Sequence, residues 1–242
     1  MLSSASSPLV RRLRGMPPIR AAARGRRTLL ELVRIRREAR RARTTPDEFD
    51  RALGVQTRVA VGFADLYRVV RRGGHQHEPS PPVRFREVIG SLDVRFEETV
   101  FVDYGSGAGR AVALASELPF KAVVGVELAP ALHALAQANA AVIRATGRCR
   151  APIRLVCADA TAYAPPPDPL VIYLYNPFAP RAMRRVVAGI EASLGRRPRP
   201  VTIVAFFCDR DARPILESSR AFRATRSERD VLVLRDRVTG GD

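Results

Sequence analysis

The chain has 242 residues, 46% of them hydrophobic, enough for one α/β domain plus an extension and for a full buried core. No uncharged apolar run approaches the roughly 18–20 residues of a bilayer span, which argues against an integral membrane segment. Cys149, Cys157 and Cys208 lack paired spacing, which argues against a disulfide framework or a zinc site and suits a reducing cytoplasm, while the formal charge of +17 is almost all arginine because Lys121 is the only lysine.

Residues 1–45 form a basic, Arg-rich extension in which only Glu31 and Glu38 oppose the arginines from Arg11 to Arg43. Its first two dozen residues carry Ser and Pro clusters with little periodicity, so disorder is expected there. Thr28–Arg43 is compatible with a helix bearing Leu29, Leu30, Val33 and Ile35 on one side. The Arg-rich, acid-poor start superficially resembles a transit peptide, but Met1–Arg14 lacks the apolar core of a secretory signal. Two readings of the charge stand side by side. One is a basic arm that touches nucleic acid or acidic lipid; the other is a solvated tail from a GC-rich genome.

Residues 46–98 read as a helical part and a covering segment. Phe49, Leu53, Val59, Phe63 and Leu66 give Pro46–Gly73 one apolar side, Gly73 and Gly74 with Pro79–Pro82 break it, and a helix is expected from about Arg84 to Leu92. Residues 99–242 alternate short apolar runs with longer helical patterns. Strands are predicted at Val100–Tyr104, Ala122–Val126, Ile153–Cys157, Leu170–Tyr175, Val201–Phe207 and Val231–Arg235. Helices are predicted at Gly109–Glu117, Pro130–Ala145, Arg181–Leu194 and Ala212–Ser219. Strands separated by helices imply right-handed crossovers and a doubly wound, Rossmann-like α/β fold with a mostly parallel sheet.

The chemistry-bearing segment is Val-Asp-Tyr-Gly-Ser-Gly-Ala-Gly-Arg, residues 102–110. Glycines between a strand and a helix let the backbone turn sharply and approach a ligand, and the helix start offers free N–H groups to an anion. The same loop is also compatible with a plain tight turn. Its G-x-G-x-G spacing, with Asp103 at the strand end, differs from the G-x-G-x-x-G of dinucleotide enzymes. Glu127 ends the next strand, where a carboxylate can accept from both ribose hydroxyls, or else cap a helix. Asp159 follows the third strand as an acceptor for an adenine amino group or as an ordinary turn residue. Asn176, Pro177 and Phe178 end the fourth strand, at the edge where open α/β sheets bind ligands.

The ordered set Phe101–Arg110, Val124-Gly-Val-Glu-Leu128, Cys157-Ala-Asp159 and Leu174-Tyr-Asn-Pro-Phe178 resembles class I S-adenosylmethionine-dependent methyltransferases, and within them bacterial members with an Asn-Pro-Phe motif. The resemblance covers roughly His75 to Phe207 and implies a seven-stranded sheet with the last strand antiparallel. It implies S-adenosyl-L-methionine as cofactor, with Asp103, Gly105, Ser106 and Gly107 at its methionyl part. Glu127 and Leu128 would hold the ribose, Asp159 and Ala160 the adenine, and Asn176, Pro177 and Phe178 would line the transfer site. The His75–Pro82 stretch resembles a segment that closes over the cofactor. Its two histidines lack the third ligand that a metal site needs, and no metal is expected.

Family members with Asn/Asp-Pro-Pro-Tyr/Phe orient a target amino group at this place, whereas one proline is missing here. A nitrogen acceptor is slightly favoured, its identity is open, and no general base stands out. Two other classes remain: a non-catalytic nucleic-acid-binding protein that keeps the fold, and a nicotinamide-dependent oxidoreductase, which the glycine spacing disfavours.

Overall fold

Short apolar runs become the strands of one sheet: β1 (Val100–Tyr104), β2 (Ala122–Glu127), β3 (Ile153–Cys157), β4 (Leu170–Tyr175), β5 (Val201–Phe206), β6 (Phe222–Ser227) and β7 (Val231–Asp236). The computed structural model describes residues 46–59, 62–74, 78–176, 178–207 and 212–237, without the side chains of Phe63, Leu66 and Tyr67; all lie within one compact unit, Ala42–Asp242. The basic extension with its predicted helix Thr28–Arg43, and His75, His77, Pro177 and Cys208, lie outside the described residues.

The seven strands run in the order β3-β2-β1-β4-β5-β7-β6. β1 to β5 are parallel, and β7 inserts antiparallel between β5 and β6. The chain leaves β1 toward β2 and β3 on one side and returns to β4 on the other. The strand order therefore reverses between β1 and β4, where loops diverge and leave a crevice at the carboxyl edge.

Every residue of β1, β2 and β5 is buried, because helices cover both faces. The helices are α1 (Glu48–Leu53), α2 (Phe63–Arg71), α3 (Pro82–Gly90), α4 (Arg110–Ser116), α5 (Pro130–Ala145), α6 (Pro180–Arg196) and α7 (Arg213–Glu217). Alternate strand residues feed the two faces. Phe101, Val123, Val171 and Tyr173 pack with Phe85 and Ile89 of α3, Leu114 of α4 and Ile143 of α5. Val102, Val124 and Ile172 pack with Met183, Val186 and Ile190 of α6 and Leu216 of α7. Phe85 meets the rings of Phe101 at 5.9 Å and Tyr173 at 5.2 Å, edge to face, which seats α3 over the centre of the sheet.

Two expectations are corrected. Pro46–Gly73 is not one helical stretch but α1 and α2 with a turn between them. Gly54 closes α1 at φ 68°, and the Asp50 carboxylate then accepts from the Thr57 and Arg58 amides and the Thr57 hydroxyl. An acid that satisfies backbone donors downstream reverses the chain rather than continuing a helix. The second correction is β6, which sequence reading misses because Phe-Arg-Ala-Thr-Arg-Ser has no apolar run; it is an edge strand, buried fully only at Phe222. Among the described residues no helix is long and apolar enough to cross a membrane.

Candidate active site

The glycine loop leaves β1 after Tyr104, and Gly105, Gly107 and Gly109 take φ values of 89°, 55° and 87°. These left-handed conformations are costly for any residue with a Cβ, so the glycines are required by the path of the loop. The amides of Gly105 and Ser106 donate to the Val126 carbonyl at 2.8 and 3.0 Å. The loop is thereby tied to the end of β2.

Glu127 completes this tie. One oxygen of its carboxylate accepts from the Gly107 amide at 2.8 Å and the other from the Ala129 amide at 2.7 Å. The side chain is buried, and burial pushes its carboxyl up against the lowering effect of those amides. Beneath it, a Cβ added to Gly125 would lie 2.9 Å from the Ser106 hydroxyl, from Leu155 and from Val112. Only glycine fits there. The Ser106 hydroxyl itself is buried with no hydrogen-bond partner.

Asp103, near the end of β1, is buried, and its carboxyl has no hydrogen bond or ion pair among the described residues. Burial, and then the neighbouring Glu127 charge, push its carboxyl up to about 8. An unpaired buried acid of this kind is the natural counterpart of a cationic group.

Asp159 has a different setting. One oxygen accepts from the Thr161 amide and hydroxyl at 2.9 and 2.8 Å, and the other pairs with Arg72 at 2.8 Å. Burial alone would raise its carboxyl, but Thr161 and Arg72 hold it below the ordinary value. Arg72 follows α2, so the ion pair joins the helical N-terminal part to the loop after β3.

Asn176 follows β4 with φ 44°, a conformation asparagine tolerates better than most residues, and its amide donates to the Phe206 carbonyl at 3.0 Å. The ring of Phe178 folds back toward the glycine loop, 3.8 Å from where a Cβ on Gly105 would sit.

All of the described residues proposed from sequence come together around one cavity: Asp103, Gly105, Ser106, Gly107, Glu127, Leu128, Asp159, Ala160, Asn176 and Phe178. It encloses about 1000 Å³ of atom-free space, open to solvent. Pro177 lies between two lining residues but outside the described ones.

Sequence reasoning missed several residues of the wall. Arg72, Glu78, Ser80 and Tyr175 line the cavity, and Ser80 accepts from the Tyr173 hydroxyl at 2.9 Å. Glu78 and Ser80 belong to the covering segment, whose composition says nothing about which side chain faces inward. Arg110, which opens α4, also lines the cavity, but its guanidinium is committed elsewhere. It donates to Asp47 at 2.7 Å, Asp50 at 3.0 Å and the Thr57 hydroxyl at 2.5 Å, with Phe49 stacked 5.0 Å away.

No protein-family model and no curated protein sequence matches the chain. Several solved structures resemble it at low identity. TrmN from Thermus thermophilus is 19% identical with a TM-score of 0.48, covering 64% of this chain and 48% of its own. An rRNA methylase from Streptococcus thermophilus is 17% identical with a TM-score of 0.43, covering 66% of this chain and 98% of its own. The yhhF protein of Escherichia coli is 16% identical with a TM-score of 0.49, covering 67% of this chain and 90% of its own. The strand order, the antiparallel β7 and the glycine loop at the β1–β4 switch point themselves identify the architecture: the chain has the class I methyltransferase fold.

Proposed function

We propose that the chain is an S-adenosylmethionine-dependent methyltransferase acting on an unidentified acceptor, with nitrogen favoured. The observation that carries the reading is the pair of buried acids that line the crevice. Glu127 holds the loop at Gly107, while Asp103 lies buried and unpaired beside it. A fold alone does not fix a function; the chemistry of the site does.

The residues present fit such a donor. Asp103 offers a carboxylate to an α-ammonium group, and the orphaned Ser106 hydroxyl offers a hydrogen bond within the glycine cradle. Glu127 keeps free lone pairs for ribose hydroxyls, with Leu128 beside it. Asp159 and Ala160, also in the cavity wall, would take the adenine, and there Arg72 shares an Asp159 oxygen that an amino group would use. Asn176 and Phe178, with Pro177 between them, would meet the acceptor. When bound, the sulfonium donor supplies an activated methyl group. The protein's own part is then to place the acceptor in line and exclude water.

Isothermal titration of the full chain with S-adenosylhomocysteine tests the reading. Binding that Gly105→Val and Glu127→Gln both weaken supports it. No binding by the wild type overturns it, and binding of a nicotinamide cofactor instead would reassign the site to redox chemistry.

One observation favours a second reading, nucleic-acid binding without catalysis. Arg181, Arg184 and Arg185 are exposed in the first two turns of α6, with no ion pair among the described residues and no acid in the first turn. The Arg-rich N-terminal extension would add to them. RNA binding whose affinity falls steeply with salt, in a chain that binds no donor product, would establish that reading.

A further inference from the structure

The cavity is acidic in a chain of net charge +17. Its wall carries Glu78, Asp103, Glu127 and Asp159 against Arg72 and Arg110. Arg110 is bound to Asp47 and Asp50, and Arg72 to Asp159. Three acidic side chains thus face the cavity without a cationic partner among the described residues. Asp103 and Glu127 are buried at the ends of β1 and β2, on the glycine-loop side. Glu78 is exposed, comes from the covering segment, and has neither a hydrogen bond nor an ion pair there.

Glu78 shares the cavity wall with Tyr175. Its charge, after burial, raises the phenol of Tyr175, the half-buried last residue of β4 that also lines the cavity. The ring of Phe207 meets Tyr175 edge to face at 5.5 Å. Phe207 is 48% exposed, one of few large apolar side chains left open to solvent among the described residues. It also leaves β5 at φ 46°, a left-handed conformation that strains a bulky residue. Its amide is fixed by the Asp230 carbonyl at 2.8 Å. A strained, exposed ring packed on Tyr175, which shares the cavity wall with Glu78, contributes little to the core and fits a contact with a ligand.

We propose that Glu78, Tyr175 and Phe207 form the acceptor subsite for a primary alkylammonium group, as found on a lysyl side chain or a free diamine, with Glu78 selecting the charge. This rests on the methyltransferase reading above. A carboxylate with adjacent aromatic rings attracts a cation by ion pairing and by the ring quadrupoles. A chain with a large positive field needs such a local acid to admit a cation at all, whereas a phosphate would meet Glu78 as a like charge. For transfer, the ammonium sheds one proton to solvent. Its nitrogen lone pair then forms the N–C bond to the sulfonium methyl as the S–C bond breaks, and that bond's electron pair stays on sulfur. The products are an N-methylammonium and a neutral thioether, so charge and atoms balance.

The test titrates the full chain, saturated with S-adenosylhomocysteine, with putrescine, Nα-acetyl-lysine amide, 1-butanol and pentanoate. At least one amine should bind, and the stronger of the two identifies the source of the group. Glu78→Gln should weaken amine binding at least tenfold while the affinity for S-adenosylhomocysteine stays within twofold. Phe207→Ala keeps the backbone and should weaken the amines severalfold with the same unchanged donor-side affinity. The proposal is overturned if neither amine binds, if butanol or pentanoate binds as tightly, or if Glu78→Gln leaves the amines unaffected. Failure of the wild type to bind S-adenosylhomocysteine would instead remove the methyltransferase reading, and titrating the ligand-free chain with the amines would still report on Glu78.

Discussion

The Glu127 carboxylate accepts from the Gly107 amide at 2.8 Å, so the tip of β2 holds the loop that follows β1. Its second oxygen takes the Ala129 amide at 2.7 Å, which starts the chain into α5. A side-chain amide has only one accepting oxygen, so Glu127→Gln must leave one of these two buried donors unpaired. The expected loss of stability is about 1–3 kcal/mol. Affinity for S-adenosylhomocysteine should fall at least tenfold, or about 1.4 kcal/mol. Denaturant unfolding and calorimetry read the two effects separately; an unchanged affinity would detach Glu127 from the donor site.

Asp103 makes both stability and binding depend on pH. Its carboxyl is raised from 3.8 to about 8 by burial and by Glu127. An acid raised on folding keeps its proton in the native state while the unfolded chain has lost it. Its stabilising contribution is therefore full below about pH 4 and is lost as pH rises through 8, at a rate of up to about 1.4 kcal/mol per pH unit. Asp103→Asn should remove that loss, so the variant gains stability over the wild type progressively from pH 4 to 8 in thermal melts. A cationic α-amino group would favour the ionised acid. Binding of S-adenosylhomocysteine at pH 7 should then release close to one proton in the wild type and none in Asp103→Asn, measured by calorimetry in buffers of different ionisation heat.

How much of this was legible follows from whether the signal is local. The glycine loop, Glu127 and Asp159 are each written within a few residues of a strand end, so spacing alone brings them to one edge of the sheet. Asp159 shows the limit of that reading: its place at the cavity was foreseeable, but its bond to Arg72 spans 87 positions and has no sequence mark. Glu78 and Tyr175 line the same cavity for tertiary reasons, because Phe85 seats α3 on Phe101 and Tyr173 and so positions the segment before it. Phe207 reads as the last residue of a strand, and only its backbone angle shows that it has left the sheet. β6 was illegible because an edge strand with one buried face can be mostly polar.

Arg110 joins residues that sequence keeps far apart. Its buried guanidinium holds Asp47 and Asp50 and donates to Thr57, fixing residues 47–57 against the start of α4. Asp50 is also buried, so removing the arginine leaves an uncompensated charge. Arg110→Met should cost about 3–5 kcal/mol in denaturant unfolding. Arg110→Lys should recover little of it, because an ammonium cannot reproduce a fork that serves three acceptors. A double variant, Arg110→Met with Asp50→Asn, should be less destabilised than Arg110→Met alone. Strict additivity of the two changes would mean that the buried pair is not coupled.

Asn176 combines a backbone demand with a chemical one, and two substitutions separate them. Its φ of 44° disfavours residues that have a Cβ but lack asparagine's short polar side chain. Asn176→Ala should therefore lose about 1–2 kcal/mol of stability. Asn176→Gly accepts the conformation and should lie closer to the wild type in thermal melts, less the entropy of a more flexible unfolded chain. Both remove the carboxamide at the mouth of the cavity, so both should abolish the pairing of an acceptor N–H there. Once a methyl acceptor is in hand, turnover should fall alike in the two variants while their melting temperatures differ. Turnover that follows stability instead, high in Asn176→Gly and low in Asn176→Ala, would assign Asn176 to the turn after β4 and leave the acceptor to Glu78 and Tyr175.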